Sequence, residues 1–251
     1  MKAKDKEIVR ALAQQYHAFC MSELNQERHR LWTAHNSKEE TRPLLLVGIA
    51  MYNQLYAQMD ADLVVDAITE KKLLCTDPVA RQVEKALRWK LYHISLKDNT
   101  VFEPYLLYKA VRTPTDENRW GGVHCGLGEK TREDGAAAYK PCILQESDID
   151  KVFTQPHAVD RQATKLLGEQ YWELLGDTLP AYADTRPALF RWAGDISTDF
   201  AKMVGLENMF LMFYDQPEML HRLLARMREC VIRNLEECEA AGDIHTSASF
   251  N

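Results

Sequence analysis

Gly242-Asp243-Ile244-His245-Thr246-Ser247-Ala248-Ser249-Phe250-Asn251 closes the chain. This run alternates in polarity and has the length of a strand. It follows a helix expected from about Pro217 to Ala241, with Leu220, Leu223, Leu224, Met227, Val231, Ile232 and Leu235 as its apolar stripe. Asp215 is expected to cap that helix, Pro217 suits its first turn, and Gly242 stands where glycine ends helices. In parallel α/β folds the carboxyl ends of strands carry the chemistry. A chain that stops at such an end is expected to lack the loop it was about to build, and to hold only part of an active site.

Working outward, Leu44-Leu45-Leu46-Val47-Gly48-Ile49 is a continuous apolar run, as in a strand buried on both faces. Val101 to Tyr108 reads as a second strand, although Pro104 counts against a central position for its first half. Leu179 to Asp184 reads as a third, and the terminal run near Ile244 as a fourth. Between them lie helical patterns. Residues 4–31 form one or two helices. Asp77-Pro78 opens another through Val83, Leu87, Leu91 and Tyr92, with Asp as the cap. His157 to Leu175 is a further helix after a cap at Ser147 to Asp150, and Gly205 is placed to break a helix over 198–212. Residues 61–74 are mixed, with Asp62 to Val65 opening a helix or a short edge element. Residues 112–145 carry Gly121, Gly122, Gly126, Gly128 and Gly135 with little periodicity, and read as an inserted excursion or hairpin.

Strands alternating with helices predict a parallel sheet with right-handed crossovers. A four-stranded doubly wound sheet is one solution. Half of a (β/α)8 barrel, which takes ~250 residues when complete, fits the long units better. The expected organisation is an N-terminal helical segment over 1–41, then the first half of a TIM-type barrel over 42–251 with a glycine-rich insertion.

Composition limits the function classes. The chain has 251 residues, a net charge of -6 and 46% hydrophobic residues, enough for a sizeable core. Nucleic acid is an unfavoured partner, because no concentrated basic face is visible. Arg222, Arg226, Arg228 and Arg233 are interleaved with acids on one helix and read as its solvated side. No segment reaches the length of a membrane span, and charges interrupt the N-terminus before a signal core can form, so the expected compartment is the cytoplasm. The six cysteines are scattered without a Cys-x-x-Cys pair, as reduced thiols would be.

Glu27-Arg28-His29-Arg30-Leu31-Trp32-Thr33-Ala34-His35-Asn36 leading into Arg42-Pro43 resembles the barrel entry of uroporphyrinogen decarboxylase-like proteins. So do Asp77 to Gln82, Val101 to Tyr105, Leu175 to Pro180 and, most characteristically, Tyr214-Asp215-Gln216-Pro217-Glu218-Met219-Leu220-His221-Arg222-Leu223. The resemblance runs through nearly all of 27–251 as scattered segments. It implies a (β/α)8 barrel and one of two chemistries. These are porphyrinogen decarboxylation and methyl transfer from a methyl-corrinoid, carried by a corrinoid protein, to a small-molecule thiol acceptor on zinc.

The decarboxylases of the family hold substrate carboxylates with arginines in a Met-Arg-Gln-Ala-Gly-Arg stretch, where a guanidinium can grip two oxygens at once. The corresponding Gly48-Ile49-Ala50-Met51-Tyr52-Asn53 has no arginine. The methyltransferase side therefore agrees better with this chain. Its zinc makes a bound thiol a thiolate, and the family's ligands are His-x-Cys plus a distant Cys. This chain has no His-x-Cys, so no metal ligand is assigned. The expected substrate-binding residues are Tyr108, Asp184, Arg186, Trp192 and Asp195, at or after strand ends. For Asp184 and Arg186 the competing reading is a surface ion pair, for Tyr108 and Lys109 loop solvation, and for Trp192 packing under its loop. Ser247, Ser249 and Asn251 are expected near the last strand end. Two further readings stay open: a decarboxylase-type lyase, and a non-catalytic α/β binding module. Exposed strand edges of a half barrel also predict self-association.

Overall fold

The computed structural model of the chain describes residues 1–47, 72–113, 120–123, 125–128, 139–187 and 196–245. They divide into two compact units. The first contains Met1–Ala110 and Arg161–Asp184; the second contains Val111–Asp160 and Thr185–Ser249.

The first unit is a helical layer on a parallel strand pair. Helix α1 (Ala3–Cys20) buries Val9, Ala13, Tyr16 and Cys20, which recur every three or four residues and so share one face. Helix α2 (Glu23–Asn36) starts at Ser22, whose hydroxyl accepts from the Asn25 N–H at 3.3 Å. Helix α3 (Pro78–Ser95) begins as its sequence predicts: Asp77 accepts from the amides of Val79 at 2.9 Å and Ala80 at 3.1 Å, with Pro78 in the first turn. Strand β1 (Leu106–Lys109), helix α4 (Arg161–Leu175) and strand β2 (Ala181–Asp184) follow. β1 and β2 pair in parallel, Leu106 opposite Ala181 and Lys109 opposite Asp184. Residues 1–41 are part of this unit, because Val9 and Tyr16 of α1 share its core with Val83, Leu87 and Leu174.

Two expected strands differ from the structure for a common reason: side chains take the place of a neighbouring strand. Leu44–Val47 lie in no ladder, and Leu45 and Leu46 are exposed, at 69% and 61%. The Leu45 N–H donates to Asn99 Oδ1 at 2.9 Å and its carbonyl accepts from the Asn99 N–H at 2.8 Å. The Val47 N–H donates to Asp98 Oδ2 at 2.8 Å. The rest of that run, from Gly48, lies outside the described residues, as do residues 61–71 of the mixed segment. In the second case the strand begins at Leu106 rather than Val101. Asn25 occupies both backbone groups of Phe102, and Pro104 has no N–H to offer a ladder. At the C-terminal run, Asp243–His245 form no strand and 246–251 lie outside the described residues. Among the described residues the fold is thus mixed α/β, largely helical, with one parallel strand pair.

The second unit is built on α5 (Ile196–Val204), α6 (Leu206–Asp215) and α7 (Pro217–Ala240), with a 3-10 helix at Glu146–Lys151. Gly205 breaks α5 from α6 as expected, at φ +83°, and a Cβ there would stand 2.8 Å from Pro141. Asp215 ends α6 and does not cap α7, whose N-cap Gln216 makes no side-chain bond. The helix expected from His157 starts at Arg161 instead. Residues 152–157 are extended and are held by the side of α7 that the sequence assigned to solvent. Arg226 donates to the Val152 carbonyl at 2.7 Å, Arg233 to the Thr154 carbonyl at 2.7 Å, and Asn234 to the Gln155 carbonyl at 3.4 Å. Arg222 keeps the expected exposed role, pairing with Glu146 and Asp150.

The glycine-rich excursion is hairpin-like where described. Leu127 bridges Tyr139 in antiparallel sense, and the Lys140 N–H donates to the Gly126 carbonyl at 2.7 Å. It also changes the cysteine reading: Cys125 and Cys142 are disulfide-bonded, while Cys20, Cys75, Cys230 and Cys238 are in no disulfide and are buried. No described helix is long and apolar enough to cross a membrane.

Candidate functional site

Among the described residues, each unit carries a cluster with chemical potential. In the first, it is the carboxyl ends of β1 and β2. Side chains alternate along a strand, so the core face and the opposite face can be told apart. Leu106 and Tyr108 are in the core formed with α4, and Ala181 and Ala183 pack against it. Leu107, Lys109, Tyr182 and Asp184 therefore share the other face, with Lys109 directly opposite Asp184 in the register. In a βα fold that face, at the strand ends, is where substrates are met. Asp184 is buried, at 3% exposure, and its carbonyl accepts from the Ala110 N–H at 3.1 Å.

Tyr108 lies on the helix side instead. Its ring stacks on Tyr171 of α4 at 4.6 Å between centroids. Burial raises the Tyr108 hydroxyl pKa and, with a smaller push from Tyr108, lifts that of Tyr171 to about 12. Both stay protonated. The Tyr108 hydroxyl also explains a glycine inside a helix: a Cβ on Gly168 would fall 2.4 Å from that oxygen and 3.4 Å from Cζ. Gly168→Ala is therefore expected to destabilise by about 1–3 kcal/mol through overpacking, despite the better helix propensity of Ala. Adding Tyr108→Phe should recover most of the loss in urea unfolding, since it removes the oxygen that clashes. Additive losses in the double variant would contradict this packing account.

In the second unit Arg112, His157 and Asp243 form a relay. His157 Nε2 is 2.7 Å from Asp243 Oδ2, and Arg112 Nη1 is 3.2 Å from His157 Nδ1. A guanidinium only donates, so Nδ1 must accept and Nε2–H must donate to the carboxylate. The His157 N–H donates to Glu237 Oε2 at 2.7 Å. Arg112 Nη2 donates to the Arg186 carbonyl and, at 3.4 Å, to that of Thr185. The Thr185 hydroxyl donates to the Asp243 carbonyl at 3.2 Å, and lies 3.3 Å from His245 Nδ1. With both imidazole nitrogens of His157 engaged, the relay orients the chain around Thr185 and Arg186.

Of the residues expected from sequence, the structure places Asp184, buried, at the end of β2 opposite Lys109, Tyr108 in the core, and Arg186 beside Arg112 through its backbone. Trp192, Asp195, Ser247, Ser249 and Asn251 lie outside the described residues. Lys109 closes β1 and is exposed, as the solvation reading has it, and its alignment with Asp184 comes from the strand register. The Arg112–His157–Asp243 relay was missed, since its members are 45 and 86 residues apart and no local pattern links them.

No three His, Cys, Asp or Glu side chains converge as a metal site among the described residues. None is therefore assigned to hold zinc. No protein-family model, no curated protein and no solved structure matches the chain.

Proposed function

We propose that this chain is part of a uroporphyrinogen decarboxylase-like (β/α)8 barrel of the corrinoid-dependent methyltransferase kind. The observation that carries the reading is the β1–α4–β2 unit, with Lys109 and Asp184 at the strand ends on the face turned away from the helices. Two parallel neighbours joined through a helix are the repeating element of such a barrel. A second support is sequence chemistry: Gly48 to Asn53 has no arginine where the decarboxylases grip carboxylates.

In this reading the whole protein would move a methyl group from a methyl-corrinoid, presented by a corrinoid protein in the cytoplasm, to a small thiol, and zinc would supply the activation of that thiol. No step is assigned to the metal here. The residues of this chain contribute orientation. Asp184, which is buried, and Lys109, which is exposed, would supply an acceptor and a donor to a polar group of the bound molecule.

Titration of the purified chain with methylcobalamin, followed by quenching of tryptophan fluorescence, tests the proposal. Saturable quenching that weakens about tenfold in Asp184→Asn, with unchanged circular dichroism, is the expected result. Saturation by uroporphyrin in place of methylcobalamin would transfer the chain to the decarboxylase reading. Binding of neither would favour the non-catalytic α/β module.

A further inference from the structure

We propose that Cys125 and Cys142 are a reversible oxidation site, closed and opened by exchange with a small-molecule disulfide such as glutathione disulfide. Three observations carry it. The two residues sit on facing arms of the hairpin, with Cα atoms 5.3 Å apart, within the span a disulfide requires. The arms are also held by the Lys140–Gly126 backbone bond and the Leu127–Tyr139 bridge, so the thiols remain close when the bond is open. Both residues are half-buried, whereas the other four cysteines are buried. Burial lifts the thiols of Cys20 to about 11 and Cys75 to about 12, and raises that of Cys230, which suppresses their thiolates.

The exchange balances in two steps. One cysteine loses its proton to solvent, and its thiolate attacks glutathione disulfide. A mixed disulfide forms and one glutathione thiolate leaves. The second cysteine, likewise deprotonated, attacks the protein sulfur of that mixed disulfide and releases the second glutathione. Two protein thiols are oxidised by two electrons, and one glutathione disulfide becomes two glutathione.

The bond closes on a hairpin already tied to α5. The Trp120 indole N–H donates to Asp199 Oδ2 at 2.8 Å, and Lys202, 3.5 Å from Asp199, lies over the Tyr139 ring at 5.2 Å. Oxidation therefore fixes both arms of the hairpin against one helix. With the bond open, the Tyr139 arm keeps the bridge, the Lys140–Gly126 backbone bond and the cation–π contact, and the Cys142 N–H still donates to the Met203 carbonyl of α5 at 2.8 Å.

The test equilibrates the purified chain in glutathione buffers of graded oxidising strength, traps free thiols with N-ethylmaleimide without denaturant, and maps the labels by peptide mass. In reducing buffer, label is expected on Cys125 and Cys142 together and on none of the other four. Both labels should vanish in oxidising buffer and return on re-reduction. Cys142→Ser should instead hold one glutathione on Cys125, because no second thiol is left to displace it. Reduction achieved only on unfolding, two stable glutathione adducts on the wild-type chain, or label spread over the buried cysteines would overturn the proposal. The wild-type titration stands by itself should the variant fold poorly.

Discussion

Glu84→Ala should lower the melting temperature of the first unit by on the order of 10 °C. Glu84 lies on α3 with no exposed surface, and its carboxylate is bonded on every side described. Oε1 and Oε2 accept from the Leu74 N–H at 3.0 and 2.9 Å, and Oε2 accepts from the Cys75 N–H at 2.8 Å. Arg88, one turn along, donates to Oε1 at 2.8 Å from a position 27% exposed. Truncation removes the acceptor of two backbone amides and leaves a half-buried guanidinium without that carboxylate. Breaking such a pair costs about 3–5 kcal/mol.

Acid should reproduce part of this loss. Burial works against the charged form of Glu84, but the amides of Cys75 and Leu74 and the Arg88 guanidinium outweigh it and hold the carboxyl below its ordinary value. A depressed folded-state pKa means the contribution is complete above the unfolded value, near 4.3, and is lost as pH falls through the folded one. The urea midpoint of the wild-type chain should therefore fall below about pH 4, and the slope should be shallower in Glu84→Gln. An equal slope in both would show that this carboxylate does not carry the effect.

The second large expectation concerns Asn25. It is 1% exposed, and its amide replaces a strand partner for Phe102. Nδ2 donates to the Phe102 carbonyl at 2.8 Å and to the Cys20 carbonyl at 2.9 Å, while Oδ1 accepts from the Phe102 N–H at 3.1 Å. Asn25→Ala leaves those buried backbone groups without these bonds, a loss of about 3 kcal/mol in chemical denaturation. Asn25→Asp separates hydrogen bonding from size. The carboxylate can still accept from Phe102 but cannot donate to either carbonyl, so it should be at least as damaging as alanine. A benign Asp variant would refute the strand-mimic account. The Phe102 ring meets Phe19, Tyr16 and His93 edge-on, at 5.3–6.3 Å between centroids, so backbone slippage here would disturb that packing.

Asn25 and Glu84 also show why sequence reading stops where it does. Each sits in a helix, and the sequence alone assigns neither a role. Only the folded chain supplies the backbone groups that make them buried, up to 77 residues away. Arg226 is half-buried and Arg233 is exposed, as the pattern of α7 predicts for the latter, and the fold adds their bonds to residues 152–154.

What the sequence determined by itself was local. The Asp77-Pro78 start of α3, the break at Gly205 and the stop at Gly242 each depend on groups within one or two turns. Leu220, Leu223 and Met227 of the apolar stripe of α7, buried as their spacing predicts, belong to the same class, whereas Ile232 of that stripe is exposed. Tertiary structure decided which apolar or extended runs become strands, because a strand needs a neighbour's backbone. At Leu45 and Phe102 the side chains of Asn99 and Asn25 fill that place. It also decided the face on which each strand-end residue lies. A register of β1 against β2 puts Lys109 beside Asp184 and turns Tyr108 into the core, and no run of residues read alone contains that register.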